Sequence, residues 1–208
     1  GFCGRACGKW GIAVRVIAGE YRGRVLSAPK GDATRPTTDR VRESMMSMVH
    51  SAAGFEDACV LDAFAGSGAL GIEALSRGAR SVQFFERAPQ ACRIVQKNLD
   101  ALGLDARRAR VQKADVLAAA QTLYGVFDLV FLDPPYAYDA RDIIAFLTEL
   151  YTAGKLAQGV LCVYEHDAKD DQFVDNSLAS SPFELVKRKK FGDTMVDLLG
   201  IAEDGEER

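Results

Sequence analysis

The chain has 208 residues, 48% of them hydrophobic, and a formal net charge of -3. This length suffices for one well-packed core but not for two large domains, and no apolar run approaches the roughly 20 residues that span a membrane. Five scattered cysteines and two histidines argue against a disulfide framework and a structural zinc, so we expect a metal-free protein of a reducing, cytoplasmic compartment.

The N-terminal part contains a leader and a basic segment. Residues 1–11 lack the apolar core of a signal peptide and are expected to be a flexible leader. Apolar and polar residues alternate on both sides of Gly19, which predicts a β-hairpin over Arg15–Leu26 within an extension of residues 12–34. Up to residue 42, nine basic residues stand against three acidic ones, which favours a polyanionic partner over an unpartnered basic surface. The candidate contacts with that partner are Arg15, Arg22, Arg24 and Arg40.

A glycine-rich turn follows a capped helix predicted over 38–49 and a strand over 59–62. Asp62 ends the strand, and the turn leads into a helix near Ala69, so backbone N–H groups are open to a ligand, as in dinucleotide enzymes. An acid at that strand end is poorly placed for a pyrophosphate but suits the cationic amino-acid part of S-adenosylmethionine. The turn therefore favours a methyltransferase over a dehydrogenase. Its candidate cofactor-binding residues are Asp62, Ala63, Phe64, Gly66, Ser67 and Gly68.

Two more acids end the next predicted strands, which lie over 82–85 and 110–113. Glu86 comes about twenty residues after the turn, the separation at which an acid reaches ribose hydroxyls, and Asp115 is a candidate for the adenine amino group. Each acid alone is more typical of a solvated strand end than of a binding site. Because open α/β sheets bind ligands at the carboxyl ends of their strands, the succession of such acids indicates a binding edge. The neighbours Arg87 and Val116 complete this part of the candidate site.

The segment Asp133-Pro134-Pro135-Tyr136 follows an apolar strand predicted over 127–132. Two consecutive prolines end a strand and leave its last carbonyls without ladder partners, and the acid before them adds another acceptor. Two acceptors can take both hydrogens of an exocyclic amino group while a planar ring stacks on Tyr136. The four residues are thus candidate catalytic residues for methyl transfer to a planar amine, rather than a proline-rich loop without function.

The remaining pattern defines the fold class. Helices are predicted near 69–77, 89–102, 116–123 and 140–153, with strands near 159–164, 183–191 and 194–201. The alternation predicts an α/β, Rossmann-like domain over 35–202, with a mostly parallel seven-stranded sheet and an antiparallel C-terminal hairpin. Residues 203–208 form an acidic tail.

Four segments together resemble the RsmD family, the bacterial guanine-N2 methyltransferases of 16S ribosomal RNA. They are residues 35–43 (Arg-Pro-Thr-Thr-Asp-Arg-Val-Arg-Glu), the glycine turn, Leu132–Tyr136, and Phe191-Gly192-Asp193-Thr194. The resemblance implies S-adenosylmethionine as methyl donor, a class I methyltransferase fold, and guanine 966 of the 30S particle or its assembly intermediate as target. It also implies that Arg35 and Thr37 lie beside the cofactor, and we expect a monomer.

The expected mechanism places a flipped guanine on Tyr136, with its amino group donating to the Asp133 carboxylate and the Pro134 carbonyl. Other functions fit parts of the pattern. A DNA amino-methyltransferase shares the four-residue segment, but no separate sequence-reading domain is evident. A protein-glutamine methyltransferase usually has asparagine in place of Asp133. A non-catalytic RNA-binding factor and a nucleotide-dependent oxidoreductase remain alternatives of another class.

Overall fold

The computed structural model describes residues 14–28, 39–135 and 138–202. Strands β1 (Val14–Arg15) and β2 (Val25–Leu26) form a small hairpin, and the main sheet has seven strands in the order β5-β4-β3-β6-β7-β9-β8. Their bounds are β3 Cys59–Asp62, β4 Ser81–Glu86, β5 Ala109–Lys113, β6 Phe127–Leu132, β7 Leu156–Asp167, β8 Phe183–Phe191 and β9 Thr194–Ile201. The first five strands in this order pair in parallel, and β9 pairs antiparallel with both β7 and β8, which confirms the predicted fold class.

Five α-helices cover the two faces of this sheet within the described part of the chain. They are α1 Asp39–Ala52, α2 Ala69–Ser76, α3 Pro89–Leu102, α4 Ala140–Thr152 and α5 Asp171–Leu178. Side chains of α1, α2 and α3 share one apolar cluster with the sheet, and those of α4 and α5 share the other. Alternate residues of β6 divide accordingly, since Phe131 joins the first cluster and Val130 joins the second.

Helix α2 packs very closely on the sheet. A Cβ atom at Gly71 would lie 2.4 Å from a ring carbon of Phe84, so only glycine permits this approach. All but the first residue of α2 are buried, including the acid Glu73, which is 1% exposed. The helix is therefore covered on the side that faces away from the sheet as well as on the side that packs on it.

One predicted helix was wrong, and one helix of the structure was not predicted. The segment predicted as a helix over 116–123 forms only a short 3-10 helix, Val116–Ala118, which the Asp115 side chain caps by accepting the Leu117 N–H. Helix α5 was not predicted, because it buries only Val174 and Leu178, and its third apolar residue, Phe173, is exposed among polar residues. Its apolar stripe is too narrow for periodicity to reveal it.

A buried charge network joins the C-terminal strands. Asp197 of β9 is fully buried and accepts hydrogen bonds from Arg188 of β8 at 2.7 Å, and its Oδ2 lies 3.1 Å from Nε2 of His166 on β7. Arg188 also donates to Asp175 of α5 at 2.8 Å. The network thus ties three strands and one helix together.

No helix among the described residues is long and apolar enough to cross a membrane.

Candidate active site

Three acids converge at the carboxyl ends of the central strands. On β3, Asp62 lies opposite Phe84 of β4 and Phe131 of β6. Glu86 follows Phe84 by two residues and Asp133 follows Phe131 by two residues, so these two acids flank the end of β3. The chain after Asp62 continues between these two strands, because Ala63 N–H donates to the Phe131 carbonyl and Ala65 N–H to the Phe85 carbonyl. The glycine turn therefore begins between the two other acids.

Glu86 and Asp62 hold the glycine turn through hydrogen bonds from its backbone N–H groups. One Glu86 oxygen accepts the Gly66 N–H at 2.9 Å, and the other accepts the Ala88 N–H at 2.7 Å. Asp62 accepts the Gly71 N–H at 3.0 Å, inside the first turn of α2. Gly68, at φ +79°, precedes that helix in the left-handed conformation that glycine adopts without strain. Both acids thus shape the loop, a role that their positions in the sequence did not reveal.

Electrostatics at Asp62 indicate what kind of ligand the edge accepts. Burial raises the pKa of this carboxyl to about 7, the Gly71 hydrogen bond opposes the shift, and Asp133 and Glu86 add to it. A cation placed among the three carboxylates would relieve their repulsion, whereas a pyrophosphate would increase it. In addition, Asp62 occupies an N–H group at the start of α2 of the kind that dinucleotide enzymes use for phosphate. The residues therefore fit a cationic cofactor better than a dinucleotide.

The other predicted cofactor-binding residues surround this loop. Ala63 and Gly68 are buried, and Phe64, Gly66 and Ser67 are half-buried. Asp115 follows β5, with its carboxylate 3.9 Å from the guanidinium of exposed Arg87, and Val116 behind it is 2% exposed. Among residues 14–28, 39–135 and 138–202, no cluster of side chains suited to a metal ion is found.

The candidate catalytic segment leaves the sheet where the prolines predict. Strand β6 ends at Leu132, Asp133 and Pro134 are half-buried, and Pro135 is exposed. The Pro135 carbonyl accepts the Tyr138 N–H. Tyr136, Arg35 and Thr37 lie outside the described residues.

Tyr138 lies beside the site and was not predicted from the sequence. Its ring meets the ring of Phe64 edge-on, with centroids 5.3 Å apart. Phe64 belongs to the glycine turn and Tyr138 to the segment after Asp133, so this contact joins the two loops. An aromatic residue two positions after Tyr136 was the available signal.

The basic residues lie mostly on the hairpin. Arg15, Arg22, Arg24 and Arg40 are all exposed. The turn of the hairpin packs on Ser76, at the C-terminal end of α2, because Glu20 N–H donates to the Ser76 carbonyl. That end of α2 leads into β4, so Arg22 in the turn lies near the amino ends of the parallel strands, whereas Asp133 lies at their carboxyl ends. Arg24 donates to the last turn of α3, at the Ala101 carbonyl.

Comparison with known proteins yields consistent matches. A family model described as "Conserved hypothetical protein 95" matches residues 14–200. The chain is 41% identical over 157 residues to the "Putative rRNA methyltransferase YlbH" of Bacillus subtilis, covering 74% of this chain and 83% of that protein. It is 40% identical over 144 residues to the "Ribosomal RNA small subunit methyltransferase D" of Haemophilus influenzae, covering 65% and 71%. The solved structure "Putative methyltransferase yhhF from Escherichia coli" matches with a TM-score of 0.74 and 32% identity, covering 91% of this chain and 98% of that chain.

Proposed function

The chain belongs to the Conserved hypothetical protein 95 family, that of the ribosomal RNA small subunit methyltransferases D, and we propose that it methylates a guanine N2 amino group in 16S ribosomal RNA. S-adenosylmethionine is the proposed donor, and the 30S particle or its assembly intermediate is the proposed substrate. The observation that carries the proposal is the convergence of Asp62, Glu86 and Asp133 on the glycine turn.

The residues at this edge have distinct proposed roles toward the cofactor. S-adenosylmethionine supplies an electrophilic methyl group on a sulfonium cation. The carboxylate of Asp62 favours positive charge beside the glycine turn, although its contact with Gly71 makes it chiefly a support of the loop. Glu86 has lone pairs left for ribose hydroxyls, since each of its oxygens accepts one N–H. Asp115 is the proposed partner of the adenine amino group.

The chemistry at the acceptor requires orientation more than a strong base. The lone pair of a guanine amino group is delocalised into the ring, so its nucleophilicity depends on acceptors that stabilise developing positive charge on nitrogen. The Asp133 carboxylate and the Pro134 carbonyl are the proposed acceptors, and Tyr136 is the proposed stacking face. After methyl transfer, the excess proton leaves the nitrogen to Asp133 or to water.

Replacing Asp133 tests this function. Asp133→Ala removes one of two acceptors, so the rate of methyl transfer should fall about 10²–10³-fold, the effect of losing one preorganised electrostatic partner. The measurement is single-turnover transfer of labelled methyl from S-adenosylmethionine to unmethylated 30S particles at saturating cofactor. Affinity for S-adenosylhomocysteine, measured by calorimetry, should change little.

Asp128→Asn provides a matched control at the other end of the same strand. Asp128 accepts the Cys59 N–H at 2.8 Å, and asparagine retains an acceptor there, so this variant should turn over at the wild-type rate. Parallel reactions with naked 16S RNA, DNA and a glutamine-containing peptide separate the alternative acceptors. Wild-type turnover by Asp133→Ala, or transfer only to DNA or peptide, would contradict the proposal.

A further inference from the structure

The N-terminal hairpin is fastened to the methyltransferase domain by buried polar side chains. Glu73 of α2 accepts the N–H groups of Ile17 and Ala18 at 2.8 and 3.0 Å. Ser76, one turn later, accepts the Tyr21 N–H and donates to the Ala18 carbonyl. Gly19 sits so close that a Cβ atom there would lie 1.7 Å from the Ser76 carbonyl oxygen. These contacts fix the turn of the hairpin to the end of α2.

A second fastening point connects the hairpin to the glycine turn. Asn98 of α3 is 3% exposed, and its Oδ1 accepts the Ser27 N–H at 2.8 Å. Its Nδ2 donates to the Ser27 carbonyl at 2.9 Å and to the Ser67 carbonyl at 2.9 Å. One side chain thus bonds both the segment that follows β2 and the loop that we assign to the cofactor.

The orientation of this amide follows from its partners. Oδ1 faces an N–H donor, and Nδ2 faces two carbonyl oxygens. The flipped amide would oppose donor to donor and acceptor to acceptor, so this assignment is the one that satisfies all three partners. An aspartate of the same shape could accept from Ser27 but could not donate to either carbonyl. The position therefore requires an amide.

Asn98 and its helix, α3, pack against the glycine turn. Ser67 lies between Gly66, which Glu86 holds, and Gly68, which precedes α2. A Cβ atom at Gly68 would lie 3.1 Å from a methyl carbon of Val95, one turn before Asn98 on α3. Two side chains therefore hold the glycine turn: Glu86, at the carboxyl end of β4, accepts the Gly66 N–H, and Asn98, which also contacts the hairpin, donates to the Ser67 carbonyl.

We propose that Asn98 is a positioning residue for the cofactor loop, and that it makes affinity for S-adenosylmethionine depend on the docked N-terminal segment. The proposal rests on the cofactor site assigned above. The bonds to Ser27 hold the amide in the orientation that reaches Ser67, and loss of either side frees a buried polar group. The N-terminal extension consequently acts on the cofactor site as well as presenting basic residues.

The test compares variants that loosen the two fastening points separately. Asn98→Ala should weaken S-adenosylhomocysteine binding about 10-fold in calorimetry, the effect of losing buried hydrogen bonds. It should also accelerate amide hydrogen exchange in residues 63–69 of the ligand-free protein. Ser76→Ala loosens the turn of the hairpin and should accelerate exchange only near residues 18–21. Gln96→Ala, on the exposed face of α3, should leave both measurements at wild-type values.

A second pair of variants acts from the hairpin side without changing α3. Ser27→Pro removes the N–H that Asn98 accepts and should weaken S-adenosylhomocysteine binding several-fold, whereas Ser27→Ala retains both backbone groups and should bind as the wild type does. Wild-type affinity and loop exchange in Asn98→Ala, or an equal loss of affinity in Ser76→Ala, would overturn the proposal.

Failure of the cofactor assignment has a different signature. A wild-type protein that does not bind S-adenosylhomocysteine, or a Glu86→Ala variant that binds it undiminished, contradicts the cofactor site and with it the effect of Asn98 on affinity. Loop exchange is measured without ligand, so it tests the contact between Asn98 and the glycine turn independently.

Discussion

The carboxyl group of Asp62 couples the stability of the protein to pH. Burial raises its pKa to about 7, with Asp133 and Glu86 adding to the shift. Between about pH 4 and about pH 7 the native state therefore retains a proton that the unfolded state has released, so this group's contribution to stability is lost as the pH rises.

Replacing Asp62 by asparagine should remove this pH dependence. The asparagine side chain keeps an acceptor for the Gly71 N–H without a charge, so Asp62→Asn should gain stability relative to the wild type as the pH rises from about 4 to about 8. At about 1.4 kcal/mol per unit of pKa shift, the gain amounts to a few kcal/mol. Urea denaturation of both proteins across this range measures it. A difference in unfolding free energy that is constant with pH would show that Asp62 is not the titrating group.

The sequence identified some of the functional side chains and not others. The strand-end acids were identifiable because parallel strands bring their carboxyl ends to one edge. Glu73 and Asn98 were missed, since their partners are backbone groups of the hairpin, 55 and 71 positions away in the chain. A charged residue amid the apolar residues of α2 was the available signal for Glu73. Nothing in the periodicity of α3 distinguishes Asn98 from a solvated amide.

Asp197 holds the C-terminal strands together. Burial alone would raise the pKa of this carboxyl, but hydrogen bonds from Arg188 and His166 lower it below its usual value. The resulting stabilisation is present above about pH 4 and is lost as the pH falls through the lowered pKa. Asp197→Ala leaves the buried His166 Nε2 without its carboxylate partner and Arg188 with its bond to Asp175, so it should cost about 3 kcal/mol in denaturant unfolding at neutral pH.

An exposed ion pair provides the comparison for this network. Arg80 and Asp57 contact at 2.6 Å with both side chains more than half exposed, so Arg80→Ala should change the free energy of unfolding little. If Asp197→Ala were as stable as Arg80→Ala, the buried network would not be what fixes β7, β8 and β9.

Most elements follow from sequence periodicity, and the exceptions have physical causes. Strand β6 and helix α4 match their predicted bounds within one residue, because apolar runs, prolines and the Asp139 cap mark their ends. The segment after Asp115 is apolar enough to suggest a helix but turns after Ala118, and its apolar side chains are used to fill the core beside α4. Helix α5 has acids and amides on most of its surface, so it depends on tertiary contacts such as that of Asp175 with Arg188.

The hairpin is not an independent RNA-binding segment that can be removed without affecting the rest of the protein. Its deletion would remove the Ile17 and Ala18 partners of Glu73 and the Ser27 partners of Asn98, which would keep only their contacts with Arg77 and Ser67. Loss of cofactor binding in such a variant would therefore not report on RNA contacts. Substitutions of exposed arginines are the suitable probe.

Reversing one exposed charge tests whether the hairpin contacts the phosphate backbone. Arg22→Glu should weaken RNA binding and reduce the slope of log affinity against log salt by about one, while S-adenosylhomocysteine binding stays unchanged. Lys187→Glu, on the edge strand β8, tests the other basic cluster. If the slope shrank in Lys187→Glu and not in Arg22→Glu, the phosphate contacts would lie along β8.

Methyl transfer to the N2 amino group of a guanine in 16S ribosomal RNA is tested most directly by nucleoside mass spectrometry of that RNA from cells lacking this protein. We expect one guanine of the small-subunit RNA to lose its N2-methyl group, and expression of the wild-type protein, but not of Asp133→Ala, to restore it. Unchanged N2-methylguanosine at every position of the 16S RNA from those cells would contradict the account.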